Sequence, residues 1–193
     1  MTDVLDPRTV RVRAALTAAT RELVSERPVE DLSVTEVAAL AGVSRPTVYQ
    51  HFGDIPSLVA AATKEFMEGI FAHIDATLEE ENSLDYVRHL LALFVEGVYG
   101  QRAFCNNAMH GASALSIALD TMKYLDDRMR NHVIGSRIPA EGQAAADQRA
   151  AISAGLVWMV VAWLDTDFAD ANAPEAFANR LANTLFSLAG VTS

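Results

Sequence analysis

Residues 33–52 constrain the fold of this 193-residue chain more than any other segment. Ser33 and Glu36 have the spacing of a capping box, in which a serine and the glutamate three residues later cap each other's backbone N–H groups. A helix is therefore predicted to begin here. Gly42 allows the positive φ that a sharp turn requires, and Ser44 can cap a second helix. The segment thus predicts two short helices that cross steeply, a helix-turn-helix.

The second helix of this motif has an inward and an outward face. Val48 and Phe52 are expected to face inward. Donors near the N-terminus of such a helix reach base edges in the major groove, whereas hydroxyl and imidazole groups suit phosphate oxygens. Arg45 and Thr47 are the expected base contacts. The complete set of expected DNA contacts is Arg11, Thr35, Ser44, Arg45, Thr47, Tyr49, Gln50 and His51.

The charge of the chain is unevenly distributed. With 15 basic and 25 acidic residues the net charge is −10, and a protein of this charge repels anionic polymers at long range. Residues 1–52, however, hold six basic and seven acidic residues (net −1), whereas residues 53–193 hold nine and 18 (net −9). Charge alone therefore leaves open both DNA binding through the N-terminal part and a helical hairpin with a purely structural role.

The rest of the chain predicts helices and no sheet. Apolar residues recur at spacings of three and four between breaks that contain glycine or proline, and strand-like alternation is nowhere sustained. About nine helices in an all-α fold are expected. The longest uncharged stretch, residues 150–164, has 15 residues, short of the roughly 20 that cross a bilayer. Because no signal peptide is recognisable either, we expect no membrane association and a cytoplasmic location.

The sequence contains no pattern typical of an enzyme or a metal site. Dinucleotide-binding, P-loop, zinc-protease and serine-hydrolase motifs are missing, so no enzymatic activity, cofactor or metal is expected. The single cysteine, Cys105, excludes an intramolecular disulfide and a cysteine zinc site. A redox or electrophile sensor is one interpretation of Cys105, and an inert small hydrophobic residue is the favoured one.

Residues 8–58 resemble the DNA-binding domain of the tetracycline-repressor (TetR) family of bacterial regulators. The residues at the family's signature places are Ala38, Ala41-Gly42-Val43-Ser44, Thr47, Tyr49 and His51-Phe52. The resemblance implies an all-helical homodimer with nine helices per chain, an effector cavity in the C-terminal part and a two-helix dimer interface near its end. We therefore expect a three-helix DNA-binding domain with a helix-turn-helix at residues 1–52, and a ligand-binding and dimerisation domain at residues 53–193.

One departure from the family concerns the start of the fourth helix. The family commonly has a lysine there, whereas this sequence has Ile55-Pro56. Asp54 is expected to cap the helix instead. One phosphate contact is thus missing, and the DNA affinity is expected to depend more on Arg8, Arg11 and Arg13.

Two apolar segments near the C-terminus predict a dimer interface. Residues 150–164 are apolar all round, which suits a helix covered by its own domain on one side and by a second chain on the other. Residues 174–188 add an apolar stripe, so that two copies would form a four-helix interface. The expected interface residues are Val157, Val161, Phe177, Leu181 and Leu185. The alternative is that both segments are ordinary core helices of a monomer.

The middle helices supply candidates for an effector pocket. Such a pocket is mostly apolar and has a few polar fixtures, which Asn106, Asn107 and His110 could provide. The expected lining residues are Phe94, Tyr99, Phe104, Met109, Met122 and Trp158. Each of these side chains, taken singly, also suits ordinary core packing.

These observations predict a ligand-responsive transcriptional regulator, a repressor in most members of the family, that binds a palindromic double-stranded operator as a dimer. A small, largely apolar effector would favour a conformer in which the fourth helix, from Ile55 onward, swings and changes the separation of the two recognition helices from about 34–36 Å, one duplex turn. The alternative function is an all-helical small-molecule-binding protein whose DNA binding is weakened or lost.

Overall fold

The computed structural model describes residues 6–79, 83–131, 138, 141–169 and 172–191. Over these residues the chain folds into nine α-helices and one short 3-10 helix, Val29–Asp31, with no strand. The predicted all-α fold is therefore confirmed. The helices are α1 (Pro7–Glu26), α2 (Val34–Leu40), α3 (Arg45–Phe52), α4 (Ile55–Thr77), α5 (Leu84–Gly100), α6 (Arg102–His110), α7 (Ala114–Asn131), α8 (Gly142–Leu164) and α9 (Pro174–Leu188).

Local sequence signals set several of the helix ends. The Asp6 carboxylate accepts a hydrogen bond from the backbone N–H of Arg8 at 2.9 Å, which begins α1. Ser83 caps α5 by accepting from the N–H of Tyr86 at 3.1 Å. Proline at the first position of α9 needs no hydrogen-bond partner because it has no N–H. No helix in the described part of the chain is long and apolar enough to span a membrane.

The chain forms two compact units. The first unit comprises the chain up to Met67 together with Arg102–Ile117, and the second comprises Glu68–Gln101 and Ala118–Ser193. The predicted DNA-binding segment, residues 1–52, falls within the first unit. That unit also contains the first part of α4, all of α6 and the first turn of α7. The predicted boundary at residue 52 divides the chain by function and stays a prediction.

The core of the first unit draws on each of its main helices. The side chains at its centre are less than 2% exposed, and each stabilises the fold by about 1.5–3 kcal/mol relative to an exposed position. They are Leu16, Val24, Val37, Val48, Leu58 and Phe104. The ring of Phe104 on α6 meets that of Phe66 on α4 edge-on, with centroids 5.8 Å apart. Helix α6 is therefore an integral part of this core.

The C-terminal end of α6 lies against the end of α1 and the 3-10 helix. Asn107 donates a hydrogen bond from Nδ2 to the backbone carbonyl of Val24 at 2.7 Å. A Cβ added to Gly111 would lie 2.7 Å from the Cβ of Val29, which is closer than real Cβ contacts allow. Gly111 is therefore required by close packing.

The second unit is built around aromatic contacts. Trp163 on α8 stacks on Phe177 on α9, with ring centroids 4.4 Å apart and an interplanar angle of 6°. The indole N–H of Trp163 donates to the backbone carbonyl of Asn172 at 2.8 Å, so the buried indole has no unsatisfied donor. These contacts fix the ends of α8 and α9 against each other.

Candidate nucleic-acid interface

The start of α2 is a complete capping box. The Ser33 hydroxyl accepts from the N–H of Glu36 at 3.3 Å, and the Glu36 carboxylate accepts from the N–H of Ser33 at 3.1 Å. Arg27 also donates to this carboxylate, at 2.6 Å. Hydrogen bonds from Ser33 and Arg27 lower the pKa of Glu36. The predicted capping box is confirmed, and Arg27 ties the end of α1 to α2.

The turn between α2 and α3 depends on a glycine. Gly42 has a φ of 66°, in the left-handed region that glycine adopts without strain. The N–H of Val43 donates to the carbonyl of Ala38 at 2.9 Å and closes the turn. The helix-turn-helix expected from the sequence therefore has the predicted turn residue at its corner.

The recognition helix α3 presents a polar face to solvent. Val48 is fully buried and fixes the inner side of the helix, whereas Tyr49 is 50% exposed. Ser44 caps the helix by accepting from the N–H of Thr47 at 3.4 Å, and the two hydroxyls are 2.8 Å apart. Six of the eight expected DNA contacts are exposed and two are half-buried. The exposed ones are Arg11, Thr35, Ser44, Arg45, Tyr49 and Gln50, and the half-buried ones are Thr47 and His51.

Arg13 holds the C-terminal end of α3, a role that no local sequence pattern indicates. Its Nη1 donates to the backbone carbonyl of His51 at 3.0 Å. Its guanidinium carbon lies 4.3 Å from the centre of the Phe52 ring. A C-terminal carbonyl of a helix attracts a cation, so Arg13 of α1 positions the recognition helix. This geometry does not support the expectation that Arg13 contributes to phosphate binding.

Five of the six arginines of residues 1–52 divide into two groups, and the sixth, Arg21, is half-buried. Arg13 and Arg27 are bonded inside the domain. Arg8, Arg11 and Arg45 are exposed, and none of these three side chains forms an ion pair with the other described residues. Fewer arginine side chains are therefore available to bind phosphate oxygens than the number of basic residues in this segment indicates.

The start of α4 agrees with the sequence expectation. The Asp54 carboxylate accepts from the N–H of Ser57 at 2.8 Å, and hydrogen bonds from the side chain and the backbone of Ser57 lower the pKa of Asp54. The predicted cap is confirmed. Asp54, Ile55 and Pro56 occupy the positions where the family commonly has a lysine. The start of α4 therefore has no basic side chain that could bind a DNA phosphate.

The structure does not bring the six expected effector residues into one unit. Phe104 and Met109 belong to the first unit, whereas the other four belong to the second. Tyr99 packs against Trp163 and Phe168 in the second unit. Trp158 is 70% exposed, so its indole lines no enclosed site within a single chain. The assignment of these six residues to an effector pocket stays a prediction.

The residues expected at the dimer interface are largely buried within a single chain. Phe177, Leu181 and Leu185 are at most 5% exposed and Val157 is 7% exposed, while Val161 is half-buried. Such side chains have little surface left for a second chain. The apolar stripe of α9 packs inside the second unit because α5 lies against it. The large apolar side chains exposed on α8 and α9 are instead Trp158 and Leu188, the latter 44% exposed.

Cys105 lies in the core of the first unit. Burial raises the pKa of its thiol to about 12, so the reactive thiolate is disfavoured at neutral pH. This agrees with the inert residue that the sequence favoured over a sensor. Among the described residues, no group of three histidine, cysteine or acidic side chains could hold a metal ion.

Two capped short helices at a glycine corner, with a buried inner side and an exposed polar outer side, form a helix-turn-helix, a motif typical of DNA-binding proteins. The family model of bacterial regulatory proteins of the tetR family matches residues 16–62, which contain this motif. The chain thus carries the DNA-binding domain of the tetR family and has the fold of its transcriptional regulators. Members of this family are transcription factors and not enzymes, in agreement with the sequence prediction.

Solved structures of tetR-family proteins share the fold over most of the chain. A tetR-family transcriptional regulator from Streptomyces coelicolor gives a TM-score of 0.66 at 16% identity, over 91% of this chain and 81% of that chain. NalD of Pseudomonas aeruginosa, the secondary repressor of the MexAB-OprM multidrug efflux pump, gives 0.57 at 17% identity, over 91% and 96%. The R. erythropolis repressor QsdR gives 0.57 at 18% identity, over 97% and 98%. Curated protein sequences gave no significant match.

Proposed function

We propose that this protein is a ligand-responsive transcriptional repressor that binds a palindromic operator as a homodimer. The observation that carries the proposal is the outward face of α3, where Arg45, Tyr49 and Gln50 are exposed while Val48 anchors the helix from behind. An arginine fork can contact guanine O6 and N7 together, and an amide can pair with adenine. This face has the size and chemistry to read bases in the major groove.

A palindrome requires two recognition helices related by a twofold axis. The surface proposed for the second chain is the outer side of α8 and α9, centred on Trp158 and Leu188. A Cβ added to Gly155 would lie 3.9 Å from Leu188 Cδ1, which places Leu188 beside the turn of α8 that precedes Trp158. Exposed large apolar side chains on adjacent helices are typical of a homodimer interface.

Repression relieved by an effector is the proposed mode of action. Two of the structural relatives, NalD and QsdR, are repressors by name. Helix α4 contributes residues to both compact units. An effector that binds one conformer of the second unit more tightly than another would shift the equilibrium between the two conformers toward the one that it binds. The proposed result is a changed separation of the two α3 helices and release of the operator, which the protein would meet in the bacterial cytoplasm.

Selection of bound duplexes from a random pool by the purified chain tests this proposal. An enriched inverted repeat, bound less tightly as salt rises, supports a dimeric operator-binding protein. The variant Arg45→Ala should lose base preference within each half-site, whereas Lys123→Ala, which removes an exposed cation of α7, should not. If a folded native chain enriches no sequence at low salt, the DNA-binding function is refuted and a small-molecule-binding protein without an operator takes its place.

A further inference from the structure

The side chain of Thr17, in the middle of α1, bonds α1 to α4. Its hydroxyl donates a hydrogen bond to the carboxylate of Glu65 on α4, with 2.6 Å between Oγ1 and Oε2. Thr17 is buried, whereas Glu65 is exposed. A hydrogen bond to an ionised carboxylate is about twice as strong as one between neutral groups. This bond therefore ties α1 to α4 at a defined point.

The Thr17 hydroxyl also has acceptors within α1. The backbone carbonyls of Arg13 and Ala14 each lie 3.1 Å from Oγ1. A hydroxyl has a single proton to donate, so a Thr17 that loses Glu65 donates to its own helix instead. Water then solvates the exposed carboxylate. Because neither group is left unsatisfied, the bond between α1 and α4 can open at a small cost in free energy.

The side of α1 that carries Thr17 also holds the recognition helix α3. Arg13, one turn before Thr17, donates to the backbone carbonyl of His51 at 3.0 Å and covers the ring of Phe52. Residues four apart are neighbours on the surface of a helix, so the contacts with α3 and α4 lie side by side. All of these residues belong to the first unit. A movement of α4 that pulls on Thr17 would therefore also move the residue that holds α3.

We propose that Glu65 is a positioning residue, which through Thr17 holds α1, and with it α3, in the orientation that binds the operator. This inference rests on the proposed repressor function and names the contact that a movement of α4 would open. An exposed carboxylate repels DNA phosphates, so the removal of a Glu65 without this role would strengthen operator binding. The positioning role predicts the opposite sign.

Operator affinity of full-length variants tests the proposal, measured by fluorescence polarisation with the duplex selected from the random pool. Thr17→Val replaces the hydroxyl with a methyl group, and Glu65→Ala removes the carboxylate. Each should weaken operator binding by at least about fivefold, below the full effect of a hydrogen bond to a charged group because Glu65 is exposed. Glu65→Gln keeps an oxygen acceptor for Thr17, and its affinity should stay within about twofold of the native value.

Thr20→Val is the matched control for Thr17→Val. Thr20 is also buried in α1, but its hydroxyl donates to a carbonyl of the same helix, that of Leu16, at 2.8 Å. The two substitutions remove the same group from the same helix, and only Thr17→Val removes a bond to α4. Urea unfolding should show a loss of stability in both, whereas the operator affinity of Thr20→Val should stay within about twofold of the native value.

A double-mutant cycle isolates the pair. Thr17→Val combined with Glu65→Ala should weaken operator binding no further than either substitution alone, because both remove the same bond. The inference is overturned if Thr17→Val binds the operator as tightly as the native chain, or if Glu65→Ala binds it more tightly. It is also overturned if the effects of these two substitutions multiply, or if Glu65→Gln binds as weakly as Glu65→Ala.

Hydrogen exchange of the α3 backbone amides in the DNA-free chain is a readout that needs no operator. Thr17→Val and Glu65→Ala should each raise it at least about threefold, since α3 loses part of its support, whereas Thr20→Val should not. If this difference is seen but the native chain binds no operator, the positioning role is supported and only the proposed regulatory function is refuted. If the native chain binds its operator and neither substitution changes exchange in α3, only the positioning role is refuted.

Discussion

Arg13 of α1 donates a hydrogen bond to the backbone carbonyl of His51, at the last turn of α3, over 3.0 Å. The same guanidinium covers the ring of Phe52 at 4.3 Å. The N-terminal helix therefore fixes the recognition helix at its C-terminal end, while Val48 fixes it at its centre. The orientation of the DNA-binding face depends on a residue that does not itself belong to that face.

Replacing Arg13 should weaken both the fold and operator binding. Arg13→Met keeps the aliphatic stem but removes the hydrogen bond and the cation, and should lower the free energy of unfolding by about 1–3 kcal/mol. Urea unfolding followed by circular dichroism measures this loss. If stability is unchanged and only the salt-dependent part of the operator affinity falls, Arg13 is a phosphate contact and its structural role is refuted.

Arg45 should determine one base of each half-site. Arg45→Ala is expected to reduce discrimination at that base by about 1–3 kcal/mol and to leave the other positions unchanged. Competition titrations with single-base operator variants measure the change. A uniform loss across all variants would show that Arg45 contacts phosphate instead.

The salt dependence of operator binding should be moderate. Two exposed arginines per chain, Arg8 and Arg11, are expected to contact phosphates, and Arg45 adds a third contact if it binds phosphate instead of a base. A dimer then makes four to six such contacts. The logarithm of its DNA-binding constant should therefore fall with the logarithm of the salt concentration with a slope of about −4 to −5. Arg11→Ala should reduce the steepness by about 2, since the dimer loses two contacts. A slope near zero would exclude binding through phosphates.

Gly111 should not tolerate a side chain. Gly111→Ala places a methyl group 2.7 Å from Val29 Cβ, and overpacking of this kind costs about 1–3 kcal/mol. Gly69→Ala, in the middle of α4 with nothing within 4 Å of the added carbon, is the matched control and should stabilise the helix by about 0.5–1 kcal/mol. Thermal unfolding compares the two. Equal stability would mean that α6 does not pack closely against the 3-10 helix.

Cys105 should resist modification in the folded chain. Its thiol is buried and its pKa is raised to about 12, so iodoacetamide at pH 8 should label it only as fast as the protein unfolds. The labelling rate in urea, relative to the rate in buffer, measures this protection. Labelling in buffer at the rate of a free cysteine would restore the sensor interpretation.

The helix-turn-helix was predictable because its signals are local. Ser33, Glu36 and Gly42 act on the backbone within a few residues, and the structure shows the expected caps and turn. The spacing of apolar residues in the sequence predicts which face of a helix is buried. It does not predict which element packs against that face, because this depends on the tertiary fold. Leu181, for example, is buried within one chain and Trp158 is exposed, a difference that their apolar character in the sequence does not indicate. Their assignments to a dimer interface and to an effector pocket stay predictions. Likewise, nothing in the local sequence links Arg13 to His51, 38 residues away.

Operator recognition by a homodimer is tested by counting the chains that bind to one operator. Native mass spectrometry of the selected duplex counts the bound chains, and polarisation titrations compare the intact inverted repeat with one in which a single half-site is scrambled. We expect two chains per duplex and a loss of at least about a hundredfold in affinity when one half-site is scrambled, since most of the base contacts of one subunit are removed. One chain per duplex, or equal affinity for the intact and scrambled repeats, would contradict operator recognition by a homodimer.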